Sequence, residues 1–457
     1  MKWRMFICAI CFLIGGCSLN IPLEDQFSDP DAITDVLSAR SLLASAYKAM
    51  PQQIFQLSVL SDDFCPSQHL NKDMSLQGLY NWREVEMTEL AGTLWAGYYA
   101  VIAEVNALLA RIDAVVTLDE TEKLEKMRIV CEAKALKSWC YFDLLRLFAP
   151  RYEGNENKDG IILKKRVELD FLPRSSVKEC VTEIRTLLNE ARNVDNTQKN
   201  VYWLSDKAVA YLQVELELYA GNYPAVLELT KDLETEYPES VLGADVYKYL
   251  WSSENSDARI FGKYQLEQIY MDIRFDTFEK GDYLVLSQNV DYEEEDIRKE
   301  WSEIPFVMPD AKNVRLLGKY NKMNRDKVAS KYVNVARAAG MWLMRVEALA
   351  GKEGDAVALA NRMLKQRGAT EWSTNIAGNE LISKILIERQ KEYVGEGIRF
   401  FDMKRCGLSA IRYGTYGDKV MGIVKADDYR WTLPIPAGEY RYNTSVEQND
   451  GWPKLSV

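Results

Sequence analysis

Histidine is nearly missing from this 457-residue chain: His69 is the only one. That excludes a histidine metal cluster and leaves a single imidazole for proton transfer. His69 stands in a polar, loop-like stretch and reads as a surface residue. No GxSxG, HExxH, P-loop or GxGxxG segment occurs, so no nucleophile elbow, zinc helix or phosphate-cradling loop is offered. Beyond position 17 the cysteines thin out to Cys65, Cys131, Cys140, Cys180 and Cys406, with no CxxC among them. A redox pair and a four-cysteine zinc site are therefore excluded, and the five read as small buried hydrophobes. Basic residues are the minority, 57 against 68 acidic, for a net charge of −11. Such a chain is a poor polyanion binder, because each phosphate contact needs a Lys or Arg. No Pro/Gly/Ser-rich linker divides the body, so residues 32–457 read as one domain. No cofactor is implied.

One apolar run stands apart. Lys2 and Arg4 precede Met5 to Ile14, which is too short to span a bilayer, since that needs about 20 residues. A basic start, an apolar stretch and small residues after it make residues 1–16 a signal peptide. Ile14-Gly15-Gly16-Cys17 resembles the lipobox of bacterial lipoproteins, which implies lipidation at Cys17 and a tether over residues 17–31. Two or three acyl chains make a stable anchor where one alone does not. Removing residues 1–16 takes away two basic residues and no acidic ones, and the charge becomes −13.

The body is dominated by helical periods. Ile33 to Met50 is a helix closed by Pro51, and Leu90 to Ile112 is a second, with Leu94, Tyr98, Val101, Val105, Leu108 and Leu109 on one face. Glu120 to Phe148 is a third, with Ala133, Leu136, Cys140, Leu144 and Leu147 as its seam and Pro150 beyond its end. Ser176 with Glu179 forms a capping box for a helix to about Arg192. Ser205 caps another that runs to Ala220, and its partner spans Ala225 to Glu236. Leu218–Leu229 (LYAGNYPAVLEL) and Leu349–Ala360 (LAGKEGDAVALA) repeat one pattern: a helix, an Ala-Gly turn, and a second helix with Ala-Val near its start. A hairpin of that kind buries its apolar face only against its neighbours. The fold class is therefore mostly α, with tetratricopeptide-like helical hairpins forming a scaffold over about 32–237 and 332–406. Residues 238–331 change character, with aromatics, charge clusters and β-prone stretches such as Tyr283-Leu284-Val285-Leu286, and read as an irregular loop-rich insertion face. An extended segment, 407–457, follows the scaffold. Loops on a rigid scaffold are where binding usually resides.

The densest charged stretch, Ile385 to Gly407, packs Glu388, Arg389, Glu392, Glu396, Arg399, Asp402 and Arg405 into eighteen positions. Arg389 with Glu392, Arg399 with Asp402, and Asp402 with Arg405 are i,i+3 neighbours, so a packed structural network is expected rather than an active site. With 68 acidic residues, a carboxylate pair of glycosidase type stays open from sequence alone.

The same stretch, ER..E..GEG.R..D..R.G, resembles the pattern near the end of SusD/RagB-type lipoproteins of Bacteroidetes. Leu433-Pro434-Ile435-Pro436 with Glu439, Asn443, Gln448, Asn449 and Gly451 is similar to that family's closing motif. Glu132-Ala133-Lys134-Ala135 through Tyr141-Phe142-Asp143-Leu144 to Phe148 resembles its early helix. Leu343-Met344-Arg345-Val346-Glu347-Ala348, followed by Asn361 and Arg367, resembles its LIRAEA helix. The resemblance implies a non-enzymatic outer-membrane lipoprotein, facing the cell exterior, that captures oligosaccharides for a SusC-like TonB-dependent transporter. A peptide-capturing RagB-like lipoprotein is the alternative it leaves, and a helical glycoside hydrolase a more distant one. Acidic residues that promote surface export follow the lipid cysteine only after Ser18–Leu23.

Sugars present flat C–H faces ringed by hydroxyls, so a binding site needs exposed rings with planar polar groups at their edges. Trp82 fits that description, beside Tyr80, Asn81 and Arg83. The insertion supplies Trp251, Tyr283, Tyr292 and Trp301 as further platforms, with Asp282 and Asn289 as polar partners.

Overall fold

The structure is a computed structural model that describes residues 33–454 except 69–73, 169, 198–199, 253, 265–283, 309 and 323–331. Cys17, His69, Asp282 and Tyr283 lie outside the described residues.

The chain is mostly α, as its periodicity predicts. Asp35 opens the helix Val36–Ala49 with a capping box closed by Ser38. It packs on a long antiparallel pair, Glu84–Arg111 and Glu120–Phe148. The stretch Glu84–Ala114 is apolar and long enough to cross a membrane, but its Leu94, Tyr98, Val101 and Val105 are buried inside the protein. The expected seam of Glu120–Phe148 is fully buried, and each enclosed leucine contributes about 1.5–3 kcal/mol. Ser176 and Glu179 form the expected capping box of Val177–Glu190, and Ser205 caps Asp206–Tyr219.

The repeated pattern is two helical hairpins, Asp206–Tyr219 with Tyr223–Leu229 and Ala338–Ala348 with Glu353–Arg367. Gly221 takes a left-handed φ of +66° at the first turn. The partner helix is shorter than its periodicity suggests. It breaks at Thr230, whose hydroxyl donates back to the Val226 carbonyl, and resumes only as Leu233–Glu236. Such back-bonding competes with the helical ladder. Gly378–Tyr393 and Ile398–Cys406 complete the scaffold, and the first of them also packs on Ala338–Ala348.

The polar stretch 62–82 is less loop-like than its composition suggests, since it contains the strand Phe64–Pro66 and the helix Met74–Tyr80. Among the described residues, four antiparallel two-stranded ribbons decorate the helices. Phe64–Pro66 pairs with Leu284–Leu286, Arg259–Tyr264 with Tyr332–Arg337, Glu303–Val307 with Asn313–Leu317, and Ala410–Tyr413 with Val420–Val424.

The C-terminal segment straps the end of the long helix. A helix leaves its last carbonyls without intrahelical donors, and here distant residues supply them. The Leu433 amide donates to the Leu147 carbonyl at 2.9 Å, and Asn449 and Arg174 donate to that of Phe148 at 2.9 and 3.1 Å. Lys404 donates to the carbonyls of Arg146 and Ala149 at 2.7 Å.

The charged stretch is the interior of the scaffold. Glu392 accepts from Arg337 at 2.5 Å, Arg367 at 2.9 Å and Arg298 at 3.4 Å. Glu396 receives Lys319 and Arg337, Glu347 receives Arg405, and Asp402 receives Arg389 and Arg405. Of the three expected i,i+3 pairs, Asp402 with Arg405 forms. Arg399 instead reaches Asp62 at 2.8 Å, and Arg389 reaches Asp402 across a turn of chain. The reason is burial: a carboxylate enclosed on several sides takes cations from neighbouring elements rather than from its own helix. Burial acts to raise Glu392 and Asp402, but the surrounding guanidinium groups win and hold each at about 2. The GEG turn, Gly395-Glu396-Gly397, lets the backbone approach closely, with the Gly395 amide on the Asp63 carboxylate at 3.0 Å. A Cβ at Gly395, where φ is +72°, would meet Leu317 at 2.5 Å.

Candidate functional site

A staircase of rings climbs from this core to the surface. At its base the Arg259–Tyr264 ribbon lies on the helices, with Phe261 edge-on to Trp139 at 5.5 Å. Tyr47 joins Phe261 to Trp203, edge-on to the latter at 5.1 Å. At the top stand Tyr202, Tyr264 and Tyr332. The planes of Tyr202 and Tyr332 lie within 8° of parallel at 6.4 Å, and Tyr264 meets Tyr202 at 5.9 Å and Tyr332 at 6.0 Å.

Local sequence dictates this assembly. Tyr264 and Tyr332 are cross-strand partners in the ribbon, the positions whose side chains lie close together on one face. Gly262 keeps the strands tight, since a Cβ there would meet Tyr332 at 3.0 Å and Arg259 at 3.1 Å. Its amide donates to the Val201 carbonyl at 2.8 Å, which fixes the turn presenting Tyr202 and Trp203. Arg259 anchors the ribbon from below. Its guanidinium donates to the carbonyls of Tyr249, Leu250, Ser252 and Glu254 and to Asn334, and lies 4.8 Å from the Tyr332 ring centre. Burial lowers it to about 10. Lys263, pulled down to about 8 by burial, donates to the Met50 carbonyl. Arg40 lies 4.9 Å from the Trp203 ring. Arg40 and Arg259 thus lie against Trp203 and Tyr332, while Tyr264 is 41% exposed and Tyr202, Trp203 and Tyr332 are half-buried.

Most of the rings singled out from sequence lie elsewhere, inside the protein. Trp82 is 0% exposed. It holds a left-handed turn, φ +56°, packs edge-on against Trp431 at 4.6 Å, and donates from Nε1 to the Leu60 carbonyl. The turn between two helices folds under the C-terminal segment, so a polar neighbourhood in sequence conceals a core ring. Tyr80 is buried beside it, its hydroxyl exchanging hydrogen bonds with the Tyr413 backbone. Trp251 is enclosed by Tyr247, Tyr320, Lys319 and Arg337. Tyr292 is buried and donates to the Lys391 carbonyl at 2.6 Å. None of these four is an exposed platform. Asn81 and Arg83 are exposed, but Asn81 donates to the Gln77 carbonyl and Arg83 pairs with Glu86. Trp301 is half-buried under the Lys322 ammonium at 4.9 Å. Asn289 accepts from the Tyr413 hydroxyl at 2.9 Å.

The residues that sequence reasoning passed over are Tyr202, Trp203, Tyr264 and Tyr332. The available signal was Tyr-Trp in the otherwise polar stretch 195–207. A concavity of about 510 Å³ opens between the loop after Arg367 and Gly378–Tyr393, with the half-buried Trp372 in its wall. Asn361 clamps the Trp372 backbone with two hydrogen bonds, at 2.6 and 2.9 Å.

Residues 23–214 match a family model described as starch-binding and associating with the outer membrane, and residues 243–452 match one described as the SusD family. Among curated proteins none matches. A solved SusD superfamily protein from Bacteroides vulgatus superposes with a TM-score of 0.76 at 22% identity, covering 92% of this chain and 100% of its own. A structure titled a putative sugar binding protein, also from Bacteroides vulgatus, gives 0.76 at 21% identity over 92% and 100%. A SusD superfamily protein from Bacteroides thetaiotaomicron gives 0.74 at 20% identity over 91% and 100%. At such identities the structures speak for the fold, and the two family models, which between them reach from residue 23 to residue 452, speak for descent: the chain belongs to the SusD/RagB family.

Proposed function

We propose that this protein is a non-catalytic glycan-capturing lipoprotein, held by acyl chains on Cys17 to the outer membrane and facing the cell exterior. It retains oligosaccharides and passes them to a SusC-like TonB-dependent transporter. The observation that carries the reading is the surface cluster of Tyr202, Trp203, Tyr264 and Tyr332, in a family whose model describes starch binding. The rings reach solvent from a rigid base, and stacking on the C–H faces of a sugar needs planes fixed before the ligand arrives. Arg40 lies over Trp203 and Arg259 over Tyr332, so the exposed part of Tyr264 and the half-buried Tyr202 beside it are the surfaces offered to a ligand. The half-exposed Trp301 and the exposed Asn81 and Arg83 are secondary candidates for ligand contact.

The test is retention of oligosaccharides by the purified mature protein across a glycan array, with a peptide library in parallel. Binding of glycans that is lost in Tyr202→Ala/Tyr264→Ala supports the proposal. Retention of peptides with no glycan bound would overturn it in favour of peptide capture, and shortening of a bound oligosaccharide would overturn the non-catalytic reading.

A further inference from the structure

At the opposite kind of surface, apolar rather than aromatic, three aliphatic side chains stand out in water around one backbone junction. Leu37 is 77% exposed, Val116 62% and Leu118 84%. Thr34 and Val116 are joined by a backbone hydrogen bond of 3.1 Å, and Asp35 and Val116 form a parallel bridge. The tip of the long hairpin, the turn between Glu84–Arg111 and Glu120–Phe148, is thereby fastened to the start of Val36–Ala49. Leu124 and Met127, on the first turns of Glu120–Phe148, are also exposed. Scattered aliphatic residues on a surface need no explanation, but a cluster at one tip marks an interaction site.

The charges around the junction are already occupied. The Asp35 carboxylate accepts from the Ser38 amide at 2.8 Å and that of Asp119 from the Glu122 amide at 2.9 Å, each capping a helix. Lys126 donates to the carbonyls of Asp113 and Val115 at 3.2 and 3.0 Å, and Lys123 pairs with Glu120. These cations are already engaged by carbonyls or a carboxylate, so this part of the described surface is suited to an apolar or zwitterionic layer.

The position of the tip identifies the occupant. The described chain begins at Ile33, beside this junction, and residues 18–32 separate it from Cys17. Fifteen residues span at most about 50 Å even when fully extended, so an anchor on Cys17 keeps this tip nearer the lipid than any other described part of the chain is obliged to be. We infer that Leu37, Val116 and Leu118 form a membrane-seating tip that enters the outer leaflet beside the lipid anchor, and so sets which face of the protein points away from the bilayer. The inference rests on the lipidation of Cys17 proposed above.

The experiment uses the mature chain carrying Cys17→Ala, so that no acyl group contributes, floated in a density gradient with vesicles of phosphatidylethanolamine and phosphatidylcholine. A fraction floats, and raising the salt leaves that fraction unchanged, as apolar insertion is not screened. Adding Leu37→Glu, Val116→Glu and Leu118→Glu lowers the partition coefficient at least about tenfold, with an unchanged thermal melt because all three side chains are already in water. Equal flotation of the triple variant, or none by the Cys17→Ala chain, overturns the inference. Conversion of a dimer to a monomer by the triple substitution also overturns it, by assigning the tip to a second copy. The mass of the N-terminal peptide from the natural chain separates the two readings: an unacylated Cys17 sinks the anchor and this inference together, whereas an acylated Cys17 without flotation sinks the inference alone.

Discussion

The lattice around Glu392 and the ring cluster around Tyr264 are the two most specialised regions of the molecule, and they are built on opposite terms. The lattice takes its carboxylates mostly from one short stretch of sequence, draws most of their cations from other elements, and hides nearly all of these charges. The cluster draws four rings from three separated stretches and leaves them partly in water. Density in the sequence therefore marks the part that must fold correctly, whereas the part suited to a ligand is assembled by the fold from residues that look ordinary one at a time. A buried carboxylate is tolerated only with its cations in place, which is why the lattice must be complete. A stacking surface has no such requirement, and its members can come from anywhere the scaffold brings together.

Substitutions can break or sharpen that contrast. The largest effect is expected for Glu392→Ala, which strands Arg298, Arg337 and Arg367 in the interior. Removing one partner of a buried ion pair costs about 3–5 kcal/mol, and this loss should lie at the upper end, read as the shift in urea midpoint. Trp82→Ala is next, at about 3–5 kcal/mol from the cavity it opens. Glycan affinity of the folded fraction should be unchanged, and a variant that keeps its stability but loses binding would return Trp82 to the binding surface.

The third test is pH. Asp63 is pushed up to about 7, first by burial and then by neighbouring Asp62. Between about 4 and 7 the folded chain holds a proton that the unfolded chain has released, so this group's contribution to stability falls as pH rises through that window. Glu392 and Asp402, held at about 2, act in the opposite sense: their contribution is present above about 4.5 and is lost as pH falls toward 2. Asp63→Asn should flatten the slope between pH 4 and 7 and leave the acid limb in place. An unchanged slope would show that Asp63 titrates normally.

The smallest effect on stability belongs to the surface. Tyr264→Ala should weaken glycan retention by about 1 kcal/mol, or roughly fivefold in Kd, and leave the urea midpoint nearly unchanged. A midpoint shift as large as that of Trp82→Ala would mean that the cluster is core and that the contrast fails.

The scaffold was legible because helical periodicity is written locally. The Ser176 capping box, the Ser205 cap and the repeated Ala-Gly turns each involve residues only a few positions apart, and each appears where the sequence puts it. The ligand face was not legible for the converse reason. Whether an aromatic ring is core or platform depends on what covers it, and Trp82 is covered by Trp431 and Phe400, more than three hundred residues away in the chain. The ion pairs failed in the same way: Arg399 finds Asp62 rather than its helical neighbour Asp402. The partners that decide these cases are contributed by the fold, and local spacing carries no record of them.

The strap across the end of Glu120–Phe148 sets a timetable. Leu433 and Asn449 complete carbonyls of a helix that ends about three hundred residues earlier in the chain, so its last turn is fully closed only once those residues have folded back onto it. Residues 433–449 act as the latch, and a chain that lacks them leaves that helix end unfinished.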